Sequence, residues 1–446
     1  MTQTFFSGVR RYALPSLALL LVASSLAACD LNVPDPNATT EDDAFGTRDG
    51  LRAAAAGLQR QYNGAAYDNL VLTTGITSRE LAADNTFANL LDLDAGGSGL
   101  ATNNANVTGY FREMYQTIST ATALIAGAQA TETVEPALES GLVALGHFYK
   151  AAAIGGLAIG FTDVAIETST DGPAAYVSRE AAFEEAASLL EDAEAVLTTT
   201  PPNAAFNAIV PEGFDLLNSV RAYRARFELL AGNLDAALAA AGRVDPEATS
   251  VFAYDGEVNN PLFTAISPSL GQPSFAVRDN LGLETVEDGD GRIDYFTEAN
   301  DDVSVNGYPI ETATGYIVGG LAAPLPVYIP DEMNLIRAEV FARRGETAAA
   351  VAAIDAVRTD DDDPFGLAAG LDAYDGPTDQ QSLLDEIYYN RATELYLQGL
   401  RLEDQRRLNQ GGVDPASAFR RSRNFYAFPQ QERLANPDTT PTDPSI

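Results

Sequence analysis

The segment from Asp288 to Asp294 places three carboxylates within seven residues, a spacing that could serve calcium binding. In the frame of an EF-hand loop, Asp288 and Asp290 occupy the third and fifth ligand positions. The first and twelfth positions, where such a loop requires acids, hold Val286 and Thr297. Two interpretations stay open: a weak calcium site at Asp288, Asp290 and Asp294, or a turn whose side chains satisfy backbone groups.

Conventional catalytic groups are scarce in this chain. Cys29 is the only cysteine and His147 the only histidine. A single cysteine excludes disulfides within the chain, and a single histidine disfavours zinc sites and Ser-His-Asp triads. His147 adjoins Phe148 and Tyr149 in a predicted helix, where packing explains it better than catalysis does. Among the 63 acidic residues, spacing singles out no pair for glycoside hydrolysis, so these residues indicate neither an enzyme nor a cofactor other than calcium.

Cys29 stands where lipid chemistry would need it. Residues 1–28 carry Arg10 and Arg11, then an apolar run of about fifteen residues, shorter than the roughly twenty of a spanning helix. The run ends in Leu-Ala-Ala-Cys, which resembles the bacterial lipobox, where the cysteine is acylated and the preceding bond is cut. The sequence therefore predicts a lipoprotein signal peptide over 1–28 and a bilayer anchor at Cys29. The alternative is an ordinary secretory signal that leaves Cys29 an idle thiol.

The charge balance excludes one class of partner. The chain has 27 Lys+Arg against 63 Asp+Glu, a formal net charge of −36, and Lys150 is its single lysine. A polyanion of this kind is repelled by phosphate backbones, so nucleic acid is not expected as a partner. Surplus carboxylates with almost no lysine also suggest a protein adapted to high salt, which we state as a hypothesis.

Most of the chain after the signal reads as helix. Residues 29–48 are rich in Pro, Asn and Asp and predict a tether, and the body follows over 49–446. Apolar residues recur at helical spacing in several segments, which predicts an all-α fold. The predicted helices cover 49–63, 110–130, 137–155, 179–197 and 381–408, the last of them near the C-terminus.

Two segments repeat a helical hairpin pattern. Residues 223–244 and 336–357 share an alanine seven residues before a glycine and another alanine five residues after it. The matching positions are Ala225 and Ala338, Gly232 and Gly345, and Ala237 and Ala350. This is the tetratricopeptide arrangement, in which small residues let paired helices approach and glycine makes the turn. We expect hairpins near 110–155, 179–244 and 332–358, stacked across the segment between the last two.

That intervening segment, 245–331, is rich in Pro, Gly, Asn and Asp and lacks helical periodicity, so it is predicted to form loops and short strands. Residues 84–108 likewise read as loop. Irregular segments on a helical scaffold are common binding surfaces, and tryptophan, the strongest stacking side chain for sugars, is absent. The predicted ligand-facing residues are Phe87, Asn89, Tyr254, Tyr295 and Tyr308. The alternative for each is that it merely packs its own loop.

Several stretches together resemble the SusD/RagB family of nutrient-binding lipoproteins. Besides the lipobox at Cys29, they are DPNATTEDDAF, YFREMYQTISTATALI, IRAEVFARRG, NRATELYLQGLRLEDQRRL and FPQQERLANP, which span the mature chain in order. The resemblance implies tetratricopeptide-like helix pairs in a right-handed α-superhelix, with a loop-rich insert that binds ligand. It implies no catalysis.

The resemblance also implies a cellular location and a role in nutrient uptake. A family member would sit on the outer membrane, exposed at the cell surface and held by its lipid. It would capture an oligomeric nutrient, a glycan first and a peptide second, for a SusC-like TonB-dependent barrel. Two alternatives remain from the residues alone: an exported hydrolase on a helical scaffold, and a structural tetratricopeptide adaptor of the envelope.

Overall fold

Long helices form where alanine and leucine recur at helical spacing without an internal proline. The computed structural model describes residues 41–168, 175–300, 303–305 and 307–446, and Ala44–Ile446 form one compact unit. The predicted signal peptide, Cys29 and most of the predicted tether lie outside the described residues. Polar side chains mark several helix starts by accepting backbone hydrogen bonds, among them Thr47, Asn104, Ser178, Asp215 and Asp379.

The helices are α1 (Glu41–Phe45), α2 (Arg48–Gln61), α3 (Tyr67–Thr77), α4 (Ala88–Ala95), α5 (Ala105–Ala130), α6 (Pro136–Gly160), α7 (Arg179–Thr199), α8 (Ala204–Asn207), α9 (Leu216–Leu230), α10 (Leu234–Ala241), α11 (Pro261–Ile266), α12 (Gly291–Phe296), α13 (Glu332–Arg344), α14 (Thr347–Arg358), α15 (Gln380–Glu394), α16 (Arg401–Arg407) and α17 (Gln430–Ala435). A π-helical turn, Tyr62–Ala66, joins α2 to α3.

The strands are short: β1 (Leu81–Ala83), β2 (Asp163–Ala165), β3 (Tyr176–Ser178), β4 (Val251–Phe252), β5 (Phe275–Arg278), β6 (Thr297–Glu298), β7 (Ser304–Val305), β8 (Tyr308–Ala313) and β9 (Leu325–Pro326). Strands β2 and β3 form one antiparallel pair, and β4 and β9 form another. The remaining strands make a separate sheet.

Helix α6 forms the centre of the core. It packs between α5 and α7, and its predicted apolar stripe of Leu138, Leu142, Leu145 and Tyr149 is fully buried. By length and composition this helix could cross a membrane, but 94% of its apolar window is buried inside the protein. Burial from both sides explains why it is apolar nearly all round.

The two matching hairpins are α9 with α10 and α13 with α14. Gly232 and Gly345 adopt positive φ angles of 84° and 74°, which glycine tolerates at a helix end without steric cost. The alanines of the second helices, Ala237 and Ala350, are fully buried. Helix α10 packs against α13, so the hairpins stack across the segment that separates them in sequence.

Two predicted boundaries are wrong. Residues 84–108, predicted as loop, contain α4 and the start of α5. The helix predicted over 381–408 is broken between α15 and α16, where Leu397 and Gly399 have φ angles of 54° and 75°. The reason is tertiary: the Leu397 amide donates to the buried carboxylate of Glu80 at 3.0 Å, which turns the chain inward.

The surplus of carboxylates makes a prediction about stability. The largest fully buried side chains include arginines that pair with buried acids, and many other carboxylates of the described residues are exposed. We expect the unfolding temperature to rise by several degrees between about 0.1 and 1 M NaCl, as the Debye length falls from roughly 10 to 3 Å. Calorimetry with a neutral osmolyte as control measures this, and an unchanged transition would argue against adaptation to salt.

Candidate functional site

A small antiparallel sheet lies at the centre of the irregular segments. Its order is β1-β5-β8-β6, with β7 paired to β8, so β1 joins strands that come from the 245–331 segment. Ala82 lies opposite Ala276, and Arg278 opposite Ile310. Ala82, Ala276 and Ile310 form a small buried apolar cluster on one face. This sheet therefore brings two distant loop regions to one place.

Two arginines fix the surroundings of the sheet. Arg79 and Arg278 share the carboxylate of Asp94, at 3.1 and 2.9 Å. They also donate to backbone oxygens in the 415–418 loop. Burial lowers the pKa of the Arg278 guanidinium, and Asp94 opposes that effect. The network locks α4 and the 415–418 loop against the sheet.

Tyr308, a predicted ligand-facing residue, belongs to this arrangement. Its ring centroid lies 3.8 Å from the guanidinium carbon of Arg278 and 5.8 Å from that of Arg79. The side chain is half-buried because the arginines cover one ring face. A ligand could therefore stack only on the other face.

Phe87 and Asn89 lie at the start of α4. Phe87 is 57% exposed, which is unusual for a phenylalanine and leaves its ring open to a ligand. The Asn89 amide instead donates to the Asn106 side chain at 2.5 Å, and its backbone oxygen accepts from Asn104. Phe87 is therefore accessible and its ligand-facing role stays a prediction, whereas Asn89 holds α4 to the start of α5.

Two further exposed apolar side chains, missed by the sequence analysis, flank the same sheet. Leu270 is 55% exposed on the turn before β5, and Phe419 is 40% exposed. Phe419 follows Ala418, whose backbone oxygen accepts from Arg278. Neither position has a local signal, because both lie in segments without periodicity. We name Phe87, Leu270, Tyr308 and Phe419 the apolar rim.

Tyr254 and Tyr295 do not belong to the rim, and the packing alternative describes both. Tyr254 is 8% exposed, and its hydroxyl donates to the backbone oxygen of Asn63. The Tyr295 hydroxyl donates to the backbone oxygen of Phe365 at 2.8 Å, and its ring packs against Tyr316. Burial raises the pKa of both tyrosines, as expected for neutral core groups.

A cleft of about 440 Å³ opens beside β7 and β8. Its lining mixes polar residues with apolar ones: Asp279, Asn300, Ser304 and Glu311 with Ala299, Val303, Pro309 and Ile310. Asp279 directly follows β5, and Glu311 lies on β8 opposite Val277, so both acids line the cleft. Burial, and then the neighbouring Asp279, raise the pKa of Glu311. Sequence reasoning missed this pair because only strand pairing creates it.

One residue of the predicted calcium site, Asp290, is held by other partners, whereas Asp288 and Asp294 are exposed. The Oδ1 atom of Asp290 caps α12, and its Oδ2 atom accepts from both Arg292 and Tyr389 at 2.7 Å. Its carboxylate is therefore already saturated by donors. Across the described ranges, no group of three or more Asp, Glu, His or Cys side chains is arranged to hold a metal ion. The geometry matches the turn interpretation of Asp288 to Asp294.

His147 lies on α6, away from the rim and the cleft. It is half-buried, and burial lowers its pKa. Its Nδ1 atom has no hydrogen-bond partner among the described residues. Nothing around it positions a nucleophile, so packing accounts for this side chain.

No family model matches the sequence, and no curated protein does. Solved structures do match. A SusD superfamily protein from Bacteroides fragilis gives a TM-score of 0.69 at 12% identity, covering 89% of this chain and 99% of that one. A SusD superfamily protein from Bacteroides vulgatus gives 0.66 at 13% identity, covering 88% and 98%.

A third match is a surface glycan-binding protein from Bacteroides thetaiotaomicron in complex with laminarihexaose. Its TM-score is 0.64 at 14% identity, and the alignment covers 89% of this chain and 99% of that one. At sequence identities this low, the matches show similarity of fold alone. The coverage shows that this similarity extends over nearly the whole of each molecule. The all-α expectation is thereby confirmed, and the chain has the fold of the SusD superfamily.

Proposed function

We propose that this protein is a non-catalytic lipoprotein of the outer-membrane surface that captures an oligomeric nutrient, most simply a glycan. The observation that carries the proposal is the likeness along nearly the whole chain to SusD-type structures, one of which was solved with a bound glucan hexamer. The apolar rim supplies open side chains against which sugar rings can stack.

The cleft supports binding over hydrolysis. Among the described residues that line it, Asp279 and Glu311 are the acids. Retaining glycosidases hold their two carboxyl groups about 5 Å apart, and inverting enzymes hold them farther apart still. Because burial and then Asp279, as a neighbouring like charge, raise the pKa of Glu311, we take the two carboxyl groups for close neighbours and the cleft for a binding site.

The anchor and the delivery partner complete the proposal. The lipobox predicts that Cys29 is acylated, and more than one acyl chain gives stable attachment to a bilayer. The tether at 29–48 would then join the bilayer to the helical body. A SusC-like TonB-dependent barrel would receive the captured nutrient, as the sequence resemblance implies.

Two measurements test the proposal. Calorimetric titration of the mature protein with a panel of neutral and charged oligosaccharides and of peptides should detect saturable glycan binding without turnover. Purification of the lipidated protein from detergent-solubilised native membranes should bring a large β-barrel with it. If only peptides bound, peptide would replace glycan as the proposed nutrient. Turnover of any panel member would refute the non-catalytic role.

Truncation of the exposed ring tests the rim. We expect Phe87→Ala to weaken glycan affinity about two- to tenfold, because one aromatic contact contributes roughly 0.5–1.5 kcal/mol. Stability should not change, since the ring is 57% exposed. The matched control is Leu434→Ala, which truncates a side chain that is 75% exposed on α17. Equal affinities of the two variants would place the ligand elsewhere.

A further inference from the structure

The cleft beside the Asp279–Glu311 pair has walls that discriminate between ligands. We infer that this cleft binds an uncharged, hydroxyl-rich sugar unit and rejects units that carry carboxylate or sulfate groups. The inference rests on the proposed glycan-binding function and names the class of glycan. It makes Asp279 and Glu311 specificity-determining residues.

The shape and polarity of the cleft match a sugar. Its volume of about 440 Å³ lies within the range of small-ligand pockets. The lining offers carboxyl, amide and hydroxyl groups from Asp279, Asn300 and Ser304, which can accept from and donate to sugar hydroxyls. Apolar side chains lie beside them, since Pro309 is the cross-strand partner of Ser304, and these side chains suit the C–H face of a ring. This mixed lining suits a molecule that is polar at its edge and apolar on its face.

The acid pair sets the charge that the cleft accepts. The Oε2 atom of Glu311 is shielded from solvent and has no hydrogen-bond partner among the described residues. A buried, unpaired carboxylate oxygen is costly, and Asp279 alongside adds repulsion. Burial accordingly raises the pKa of Glu311. A ligand carboxylate or sulfate placed against the same wall would meet the same repulsion.

No cation among the described residues of the cleft offsets this charge. The described residues that line it include neither arginine nor lysine. The neighbouring arginine in sequence is Arg278, whose guanidinium is already bound to Asp94 and to the backbone oxygen of Leu81. Its Nη1 atom donates to the backbone oxygen of Ala418. An anionic sugar would therefore enter without a partner, whereas sugar hydroxyls meet acceptors already in place.

Matched oligomers test the inference. The probes are neutral hexamers of glucose, mannose and galactose, and the same hexamers oxidised at C6 to uronates. Affinities are measured by calorimetry at low salt for the wild type, for D279N/E311Q, and for E184Q. Glu184 is exposed on α7, so E184Q removes one acid at a remote site and controls for net charge. Thermal unfolding of each variant checks that the fold is kept.

We expect the wild type to bind a neutral hexamer at least about tenfold more tightly than its oxidised form. In D279N/E311Q, the ratio of the affinity for the neutral hexamer to the affinity for the oxidised hexamer should fall at least about threefold. Both substituted side chains remain polar, but they carry no charge. E184Q should leave the ratio unchanged. Equal binding of neutral and oxidised hexamers, or a ratio untouched by D279N/E311Q, would overturn the inference while leaving glycan capture intact. Failure of every hexamer to bind would instead refute the proposed function itself.

Discussion

Glu332→Gln should lower the free energy of unfolding by about 3–5 kcal/mol, the usual cost of removing one partner of a buried ion pair. Glu332 is fully buried and accepts two hydrogen bonds from Arg226, at 2.8 and 2.6 Å. The pair joins α9 to the start of α13, where the two hairpins meet across the 245–331 segment. The substitution leaves the Arg226 guanidinium buried without its carboxylate. Urea unfolding followed by circular dichroism measures the loss.

Two further variants sharpen this experiment. Arg60→Gln breaks an ion pair with Asp255 and Glu257 that is exposed to solvent, so it should change stability little. R226M/E332M replaces both buried charges by apolar groups and should recover much of the loss, since no unpaired charge remains. If Glu332→Gln cost no more than the surface variant, this pair would not hold the hairpins together.

The hairpins themselves could be predicted because their determinants are local. Gly232 and Gly345 end their helices with positive φ angles, and alanines at fixed distances from them allow close packing. These features lie within about twenty residues of sequence, as a tetratricopeptide-type repeat requires. The Arg226–Glu332 pair could not be predicted, because nothing near either residue marks its distant partner.

The ligand-binding face was only partly predictable for the same reason. Phe87 sits in a short polar stretch before α4, and its ring is 57% exposed, while its role in ligand binding stays a prediction. Tyr254 and Tyr295 lie in similar sequence but are held by backbone oxygens that belong to remote segments. Local sequence does not distinguish an aromatic ring that is exposed from one that a distant carbonyl has captured.

The cleft depends on geometry that sequence does not show. Asp279 precedes Asn280 and Leu281, which have unusual φ angles of 54° and 56°. Such angles are uncommon in leucine and persist only where the surrounding structure imposes them. They turn the chain directly after β5, where Val277 is the residue opposite Glu311 and Asp279 lies just beyond the strand. Strand register, set by tertiary packing, therefore decides which acids line the cleft.

Arg292→Met should also lower the free energy of unfolding by about 3–5 kcal/mol. The Arg292 side chain is fully buried and pairs with Asp290 at 2.7 Å and Glu394 at 3.2 Å, which ties α12 to α15. Its removal leaves two buried carboxylates without their common cation. Arg112→Met is the matched control, because Arg112 is 63% exposed and pairs only with its neighbour Glu113. A similar loss of stability in both variants would mean that the shortening of an arginine side chain, and not the loss of a buried ion pair, lowers the free energy of unfolding.

The pH dependence of the same cluster has a defined sign. Burial raises the pKa of Glu394 well above its ordinary value, and the attraction of Arg292 offsets only part of that effect. A raised folded-state pKa gives stability that is complete below the unfolded pKa of about 4.3 and is lost as pH rises through the folded value. Glu394→Gln should therefore flatten the decline in unfolding free energy on the alkaline side. In R292M/E394Q, the amide should restore part of the stability lost in Arg292→Met at pH values where Glu394 would ionise, since a buried acid without its cation is gone. If the free energy of unfolding of Glu394→Gln declined with rising pH as steeply as that of the wild type, another group would be responsible for the titration.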